Sequence, residues 1–251
     1  MAQEHSGGGD ISRSLALMWE FDLGGRTRGP KPKLSVEGIV DAAVAVADAE
    51  GLEAVSMRRV ATELGVGAMS LYRYVPGKDE LLDLMLERVS AVDEEGDLGG
   101  DWRVAMETMG RGLWELYTTH PWLPLVDQTR PLLGPNALRG FDIAVAALAD
   151  TGLGGQEQVA VITLIEAFVV SAARSHNSAA IAEQVSGISN EDFWKAQEPV
   201  LMAAMETGRY PHVAALDRDA FDLSGEEFLG FGLQRLLDGI GALVDARSAT
   251  T

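Results

Sequence analysis

The sequence predicts an all-α fold. Apolar residues recur at helical spacing through most of the 251 residues. From residue 101 onward no stretch alternates as a strand would. Helix-start residues (Ser, Asp, Pro) precede the periodic segments and glycines follow them.

The elements run as follows. Met1 to Asp10 contains Ser6-Gly-Gly-Gly9 and is expected to be disordered. Ile11 to Leu23 reads as a short amphipathic helix with Leu15, Met18, Trp19 and Phe21. Gly24 to Lys33 holds Arg26, Arg28, Lys31 and Lys33 and two prolines, and reads as an extended arm. Two roles stay open for it: a solvated linker, or an arm touching DNA phosphates or the minor groove.

Ser35 is the expected N-cap of the next helix, with Val36, Ile39, Val40, Ala43, Val44 and Ala47 on its inner face and Gly51 at its end. Ser56 caps a second helix that turns Met57, Val60, Ala61 and Leu64 inward. Gly65-Val66-Gly67 turns the chain into a third helix, Ala68 to Tyr74, too short to be stable alone. Leu71 and Val75 are its expected anchors, and Pro76-Gly77 stops it. A longer helix starts at Lys78, with Leu81, Leu82, Met85 and Val89 on one side. Helix, tight glycine turn and short second helix carrying hydroxyl, aromatic and basic side chains are the pattern of a helix-turn-helix, which places one short helix in the DNA major groove.

Further helices are expected from Trp102 to Tyr117, from Gly134-Pro135 to Asp150, from Gln156 to Asn177, from Glu191 to Thr207 and from Ser224 to Ala246. Residues 178–190 read as a flexible loop. Ser189 with Asp192, and Ser224 with Glu227, have capping-box spacing. The last helix spaces Leu229, Leu233, Leu236, Ile240 and Leu243 by four and three, yet carries Gly230, Gly232, Gly239 and Gly241. Each glycine costs roughly 1 kcal/mol against Ala, which close approach of a partner helix would explain. The 156–177 helix is apolar around most of its circumference. Both features predict a dimer interface; the alternative is that these helices simply form one monomer's core.

The chain has no cysteine, which excludes disulfides and thiolate metal or catalytic sites. No signal peptide is visible, and the run Val159 to Ala173 is too short to span a bilayer. A cytoplasmic protein with no membrane partner is the expectation. The net charge of −18 at first argues against DNA binding. Its distribution removes the objection: residues 26–78 hold eight Lys/Arg against six Asp/Glu, residues 79–251 eleven against twenty-eight. Phosphate binding depends on the local field.

Several runs resemble the TetR family of bacterial transcriptional regulators: Met57-Arg58-Arg59-Val60-Ala61, Leu64-Gly65-Val66, Leu71-Tyr72-Arg73-Tyr74-Val75 and Lys78-Asp79-Glu80-Leu81-Leu82. His120-Pro-Trp122, Thr129-Arg-Pro131, Gly134-Pro-Asn-Ala-Leu138 and the Phe231 to Gly239 run are similar to the regulatory domain of the subgroup related to the tetracycline repressor. The resemblance spans residues 31–246 and weakens from 178 to 220. It implies an N-terminal three-helix helix-turn-helix DNA-binding domain (31–78), preceded by an extension (1–30), plus a C-terminal helical ligand-binding and dimerisation domain (79–251).

By this resemblance Arg58 contacts a base. Ser70, Tyr72 and Lys78 bind phosphates, Ala68, Met69 and Arg73 enter the groove, and Lys33, Ser56 and Gly67 complete the surface. The partners implied are a palindromic double-stranded operator, a second copy of the chain, and a small, mostly apolar effector. Its expected lining is Trp102, Met106, Met109, Trp114, Trp122, Phe141 and Glu166, with His120, Asn136 and Arg174 as polar groups; Leu113, Phe168, His176 and Asn177 are further candidates. No cofactor and no metal are implied. Where the tetracycline repressor carries drug- and metal-contacting His, Gln and Glu, this chain has Val126, Ala144 and Ser175, which argues against a tetracycline–magnesium ligand. A second class remains open: a helical enzyme or binding protein without DNA binding. Against it stand the absence of a Gly-rich phosphate loop, of HExxH, and of a recognisable Ser/His/Asp set.

Overall fold

Helix caps written into the sequence set the element order. The computed structural model describes residues 4–23, 34–92, 98, 101–217 and 219–248. Among the described residues there are eleven α-helices and no strand, only an isolated bridge between His5 and Asp127. The arm residues Arg26, Arg28, Lys31 and Lys33 lie outside the described residues.

The head is α2 (Val36–Glu50), α3 (Met57–Glu63) and α4 (Ala68–Leu71). Ser35 Oγ accepts from the Gly38 N–H at 3.1 Å, and Ser56 Oγ from the Arg59 N–H at 3.2 Å. Each satisfies one of the donors a helix start leaves open. Ile39, Ala43, Val46, Val60, Leu71 and Val75 form the head's core, none more than 2 % exposed. Leu71 and Val75 therefore anchor α4 as expected.

The linking helix α5 (Lys78–Val89) buries Leu81, Leu82, Leu84, Met85 and Leu86 together with Glu80, Asp83 and Glu87. An apolar helix with three buried acids is costly unless each acid is bonded. The N-terminal segment bonds two of them. Asp83, wholly buried, accepts from Ser14 Oγ at 2.7 Å, from the Gly7 N–H at 2.9 Å and from Ser6 Oγ at 3.3 Å. Glu80 accepts from the Asp10 N–H at 3.1 Å.

This differs from the disorder expected for Met1 to Asp10. Residues 4–10 lie along α5, and the backbones of Glu4 and Ser6 pair with Asp127. The glycines permit it: a Cβ on Gly9 would sit 2.5 Å from a Glu80 oxygen. The helix expected next is present as α1 (Ile11–Leu23), with Leu17 and Met18 buried against α5 and α7.

The body is built on α6 (Trp102–Thr119), α7 (Pro135–Ala147), α8 (Gly155–Ser186) and α11 (Gly225–Ser248). Ile165, Val169, Leu229, Leu233 and Leu237 fill the α6–α8–α11 interior. Helix α8 runs nine residues past the expected end at Asn177, through alanines that favour helix, and ends at Gly187 with φ 67°. The expected loop over 178–190 is thus mostly helical. By length and composition Gly155–Glu183 could cross a membrane, which the shorter run Val159 to Ala173 could not; here it is the central helix of the body.

Of the glycines in α11, Gly232 is used inside the chain. A Cβ there would collide with the Phe168 ring, 2.1 Å from its Cζ. Gly230 and Gly239 face open space. Two helices, α9 (Asn190–Glu206) and α10 (Pro211–Ala214), contact each other and bury no residue.

Candidate nucleic-acid interface and effector cavity

The expected DNA surface is exposed and anchored. Gly67 enters α4 in an extended conformation with no side-chain cap, leaving the first N–H groups of α4 open. Met69 is 77 % and Tyr72 45 % exposed; Arg73 and Ser56 are exposed, and Ala68 and Ser70 are half-buried. The two adjacent arginines of α3 differ. Arg59 is held by Glu50 at 2.5 Å and Glu63 at 2.9 Å. These hydrogen bonds raise the Arg59 pKa and lower that of Glu50. The exposed Arg58 guanidinium has no acidic partner among the described residues. Lys78 is engaged within the chain: its Nζ lies 2.7 Å from Glu4 Oε1. Lys33 lies outside the described residues.

The candidate effector residues separate into two groups. His120, Trp122, Asn136 and Arg174 use their polar atoms on other parts of the chain. His120 Nδ1 is 2.8 Å from Asp48 Oδ1, and Trp122 Nε1 donates to the same oxygen at 2.7 Å. Asp48 lies on α2, so this contact joins head to body. The Asn136 N–H donates to Glu87 Oε1 at 2.6 Å and its Nδ2 to the Glu87 carbonyl at 3.0 Å, tying the start of α7 to α5. Arg174 Nε donates to the Pro124 carbonyl at 3.0 Å, across the turn after α6.

The second group lies along α6, α7 and α8. Met106 is fully buried; Trp102, Met109, Leu113 and Trp114 are half-buried. Phe141 on α7 is 38 % exposed. The Trp114 ring lies 5.3 Å from that of His176, and Phe168 lies 5.7 Å from Phe228. Glu166 is exposed, and partial desolvation pushes its pKa up.

Sequence reading missed three residues. Asp48 and Glu87 join head and body, and Tyr117 is buried beside the effector candidates at 4 % exposure. An acid inside an apolar helix, as at Glu87, was the available signal. The partners of Asp48 lie more than 70 positions away. A cavity of about 240 Å³ lies at the α1–α2–α5–α7 seam, bounded by Met18, Val40, Leu84 and Asn136. Among the described residues no cluster of acids and histidines could hold a metal ion.

Residues 39–85 match the sequence signature "Bacterial regulatory proteins, tetR family", and residues 95–244 match "Tetracyclin repressor-like, C-terminal domain". The chain is 51 % identical to the HTH-type transcriptional repressor DrrR1 of Streptomyces coeruleorubidus, over 97 % of this chain and 90 % of that one. It is similar to the TetR family protein ActR of Streptomyces coelicolor in complex with actinorhodin: TM-score 0.62, 26 % identity, 85 % of this chain and 97 % of that one. The ActR complex with (S)-DNPA gives TM-score 0.62 and 26 % identity, over 84 % and 98 %. Helix order, exposed α3–α4 surface and both signatures agree, and the chain belongs to the TetR family of bacterial transcriptional regulators.

Proposed function

We propose that this regulator is a repressor that binds a palindromic operator as a homodimer and is released by a small effector bound within the α6–α8 region. The observation that carries the reading is α5. It starts beside the DNA-reading unit and bonds α7 through Glu87 and Asn136, so a shift in the body tilts the head. Dimerisation is supported by apolar side chains left exposed on α8 and α11: Val159, Leu164, Phe228, Phe231 and Leu243. Two-fold symmetry then spaces two recognition helices about 34–36 Å apart.

Arg58 reads a base; Met69, Tyr72 and Arg73 meet the groove and phosphates. The effector is a mostly apolar, ring-bearing molecule, in line with the half-buried rings on α6. The protein acts in the cytoplasm, without enzymatic activity. Mobility-shift titration on the DNA upstream of its own and adjacent genes, with the mass of the free and bound protein, tests the reading. A specific shift by one dimer supports it. Equal binding to random DNA, or none, leaves a helical binding protein or enzyme instead.

A further inference from the structure

Met69 stands on α4 at 77 % exposure. Leu71, two positions on and so nearly on the opposite side of the helix, is wholly buried in the head. The chain keeps its helical course past α4, because the Tyr74 and Val75 N–H groups donate to the Leu71 carbonyl at 2.8 and 2.9 Å. Tyr72 and Arg73, three and four residues after Met69, therefore share its side. Both are exposed, and Arg73 has no acidic partner among the described residues. A single exposed apolar side chain is ordinary on most surfaces. Here it is selective: among the described residues of the head, Met69 and Tyr72 are the large apolar side chains left exposed. A Cβ on Gly67, two residues before Met69, would meet no described atom, and its φ of −76° is ordinary. Neither packing nor backbone calls for glycine there, and a bare backbone admits the close approach of a ligand.

We propose that Met69 reads the 5-methyl group of a thymine in each operator half-site, so that a T·A pair is required where α4 meets the groove. The inference rests on the regulator reading and names what one side chain of that surface recognises. The major groove presents donors, acceptors and one apolar group, the thymine methyl. The thioether of Met69 offers no donor and only a weak acceptor. Against a polar base edge it would displace water and return no bond of equal strength. Against the methyl it removes apolar surface of both partners from water. The unbranched side chain, with three rotatable bonds, lets its tip follow the methyl as the helix seats.

The test uses the full-length protein and the DNA segment it protects upstream of its own and adjacent genes. Each thymine of that segment is replaced in turn by uracil, which removes the methyl and keeps every hydrogen bond. In wild type, replacement at one position per half-site is expected to weaken binding by about fourfold, the worth of one buried methyl. Met69→Ala should bind the natural operator more weakly and lose the sensitivity at that position, while other positions keep theirs. Met69→Leu, still apolar, should retain it. Cytosine at the same position should regain affinity when supplied as 5-methylcytosine. An unchanged melting temperature of both variants shows that the head is intact. The proposal is overturned if no uracil replacement weakens wild-type binding, or if Met69→Ala keeps the full methyl sensitivity at every position. Absence of any protected segment overturns the regulator reading, and this inference with it.

Discussion

Glu4 Oε1 and Lys78 Nζ lie 2.7 Å apart, joining the N-terminal segment to the first residue of α5. Lys78 is also a proposed phosphate contact, so its ammonium has two competing partners. Glu4→Gln should free it. Operator affinity is then expected to rise by a few-fold, and the slope of log affinity against log salt to steepen by up to about 0.9 for each Lys78 gained as a phosphate contact. Lys78→Gln should lower affinity and flatten the slope. Titration over a salt series checks both. An unchanged Glu4→Gln slope would mean that Lys78 stays with the chain when DNA binds.

The same segment supports α5 through Asp83. Removing residues 1–10 deletes the Ser6 and Gly7 donors and leaves Ser14 Oγ as the remaining donor to a fully buried carboxylate among the described residues. An under-bonded buried group costs about 1–3 kcal/mol, and more when charged. Thermal unfolding should fall by several degrees. Asp83→Asn in the shortened chain should recover part of the loss, since it removes the charge while keeping the shape. No recovery would locate the loss in the packing of Leu17 and Met18 rather than in Asp83.

Asp48 accepts from both Trp122 and His120 and is the polar bridge from α2 to the turn after α6. Asp48→Ala strands the Trp122 Nε1–H, on a side chain 2 % exposed, at a cost of about 1–3 kcal/mol. The head should then follow the body less closely. Effector affinity of the free protein is expected to hold within about twofold, while the factor by which effector weakens operator binding shrinks by several-fold. By reciprocity, operator must then weaken effector binding by the same reduced factor. Measuring effector affinity with and without saturating operator reads that factor directly. An unchanged factor would assign coupling to Glu87 and Asn136 alone.

Arg58 and Arg59 are adjacent in sequence and opposite in use. Arg59 braces α3 against Glu50 and Glu63, whereas Arg58 is exposed and unpaired among the described residues. Arg58→Ala should weaken operator binding by about 1–3 kcal/mol, the discrimination of a bidentate Arg–guanine contact. Random DNA should lose far less, and the melting temperature should not move. Equal loss on both DNAs would make Arg58 a phosphate contact.

The head was legible in sequence because its determinants are local. Ser35 and Ser56 cap helices within three residues of themselves, and Leu71 and Val75 bury at the spacing a helix dictates. The N-terminal segment was not legible: Ser6-Gly-Gly-Gly9 reads as disorder by composition, while its partners Glu80 and Asp83 lie 70 or more positions away. His120-Pro-Trp122 stands out as a motif, and its residue types read as a cavity wall. Nothing near it in sequence reveals that both polar tips turn to Asp48. Gly232 reads like its neighbours in α11, and only packing shows that it faces Phe168 in its own chain.

Desolvation raises the Glu166 pKa above the ordinary carboxylate range, and no other cause adds to the shift. Tyr117 on α6 is the titratable neighbour that feels its charge. A folded-state pKa above the unfolded one means that the fold favours the protonated acid. That contribution is complete below the unfolded pKa, near 4.3 for a glutamate, and is lost as pH rises through the folded value. At about pH 8 the wild type therefore carries a desolvated charge that Glu166→Gln lacks. Thermal unfolding without ligand should show the variant slightly more stable at about pH 8, with the difference closing toward pH 4. The sign reverses if a cation pairs with Glu166 in the ligand-free protein, since the variant would then lose an ion pair at high pH.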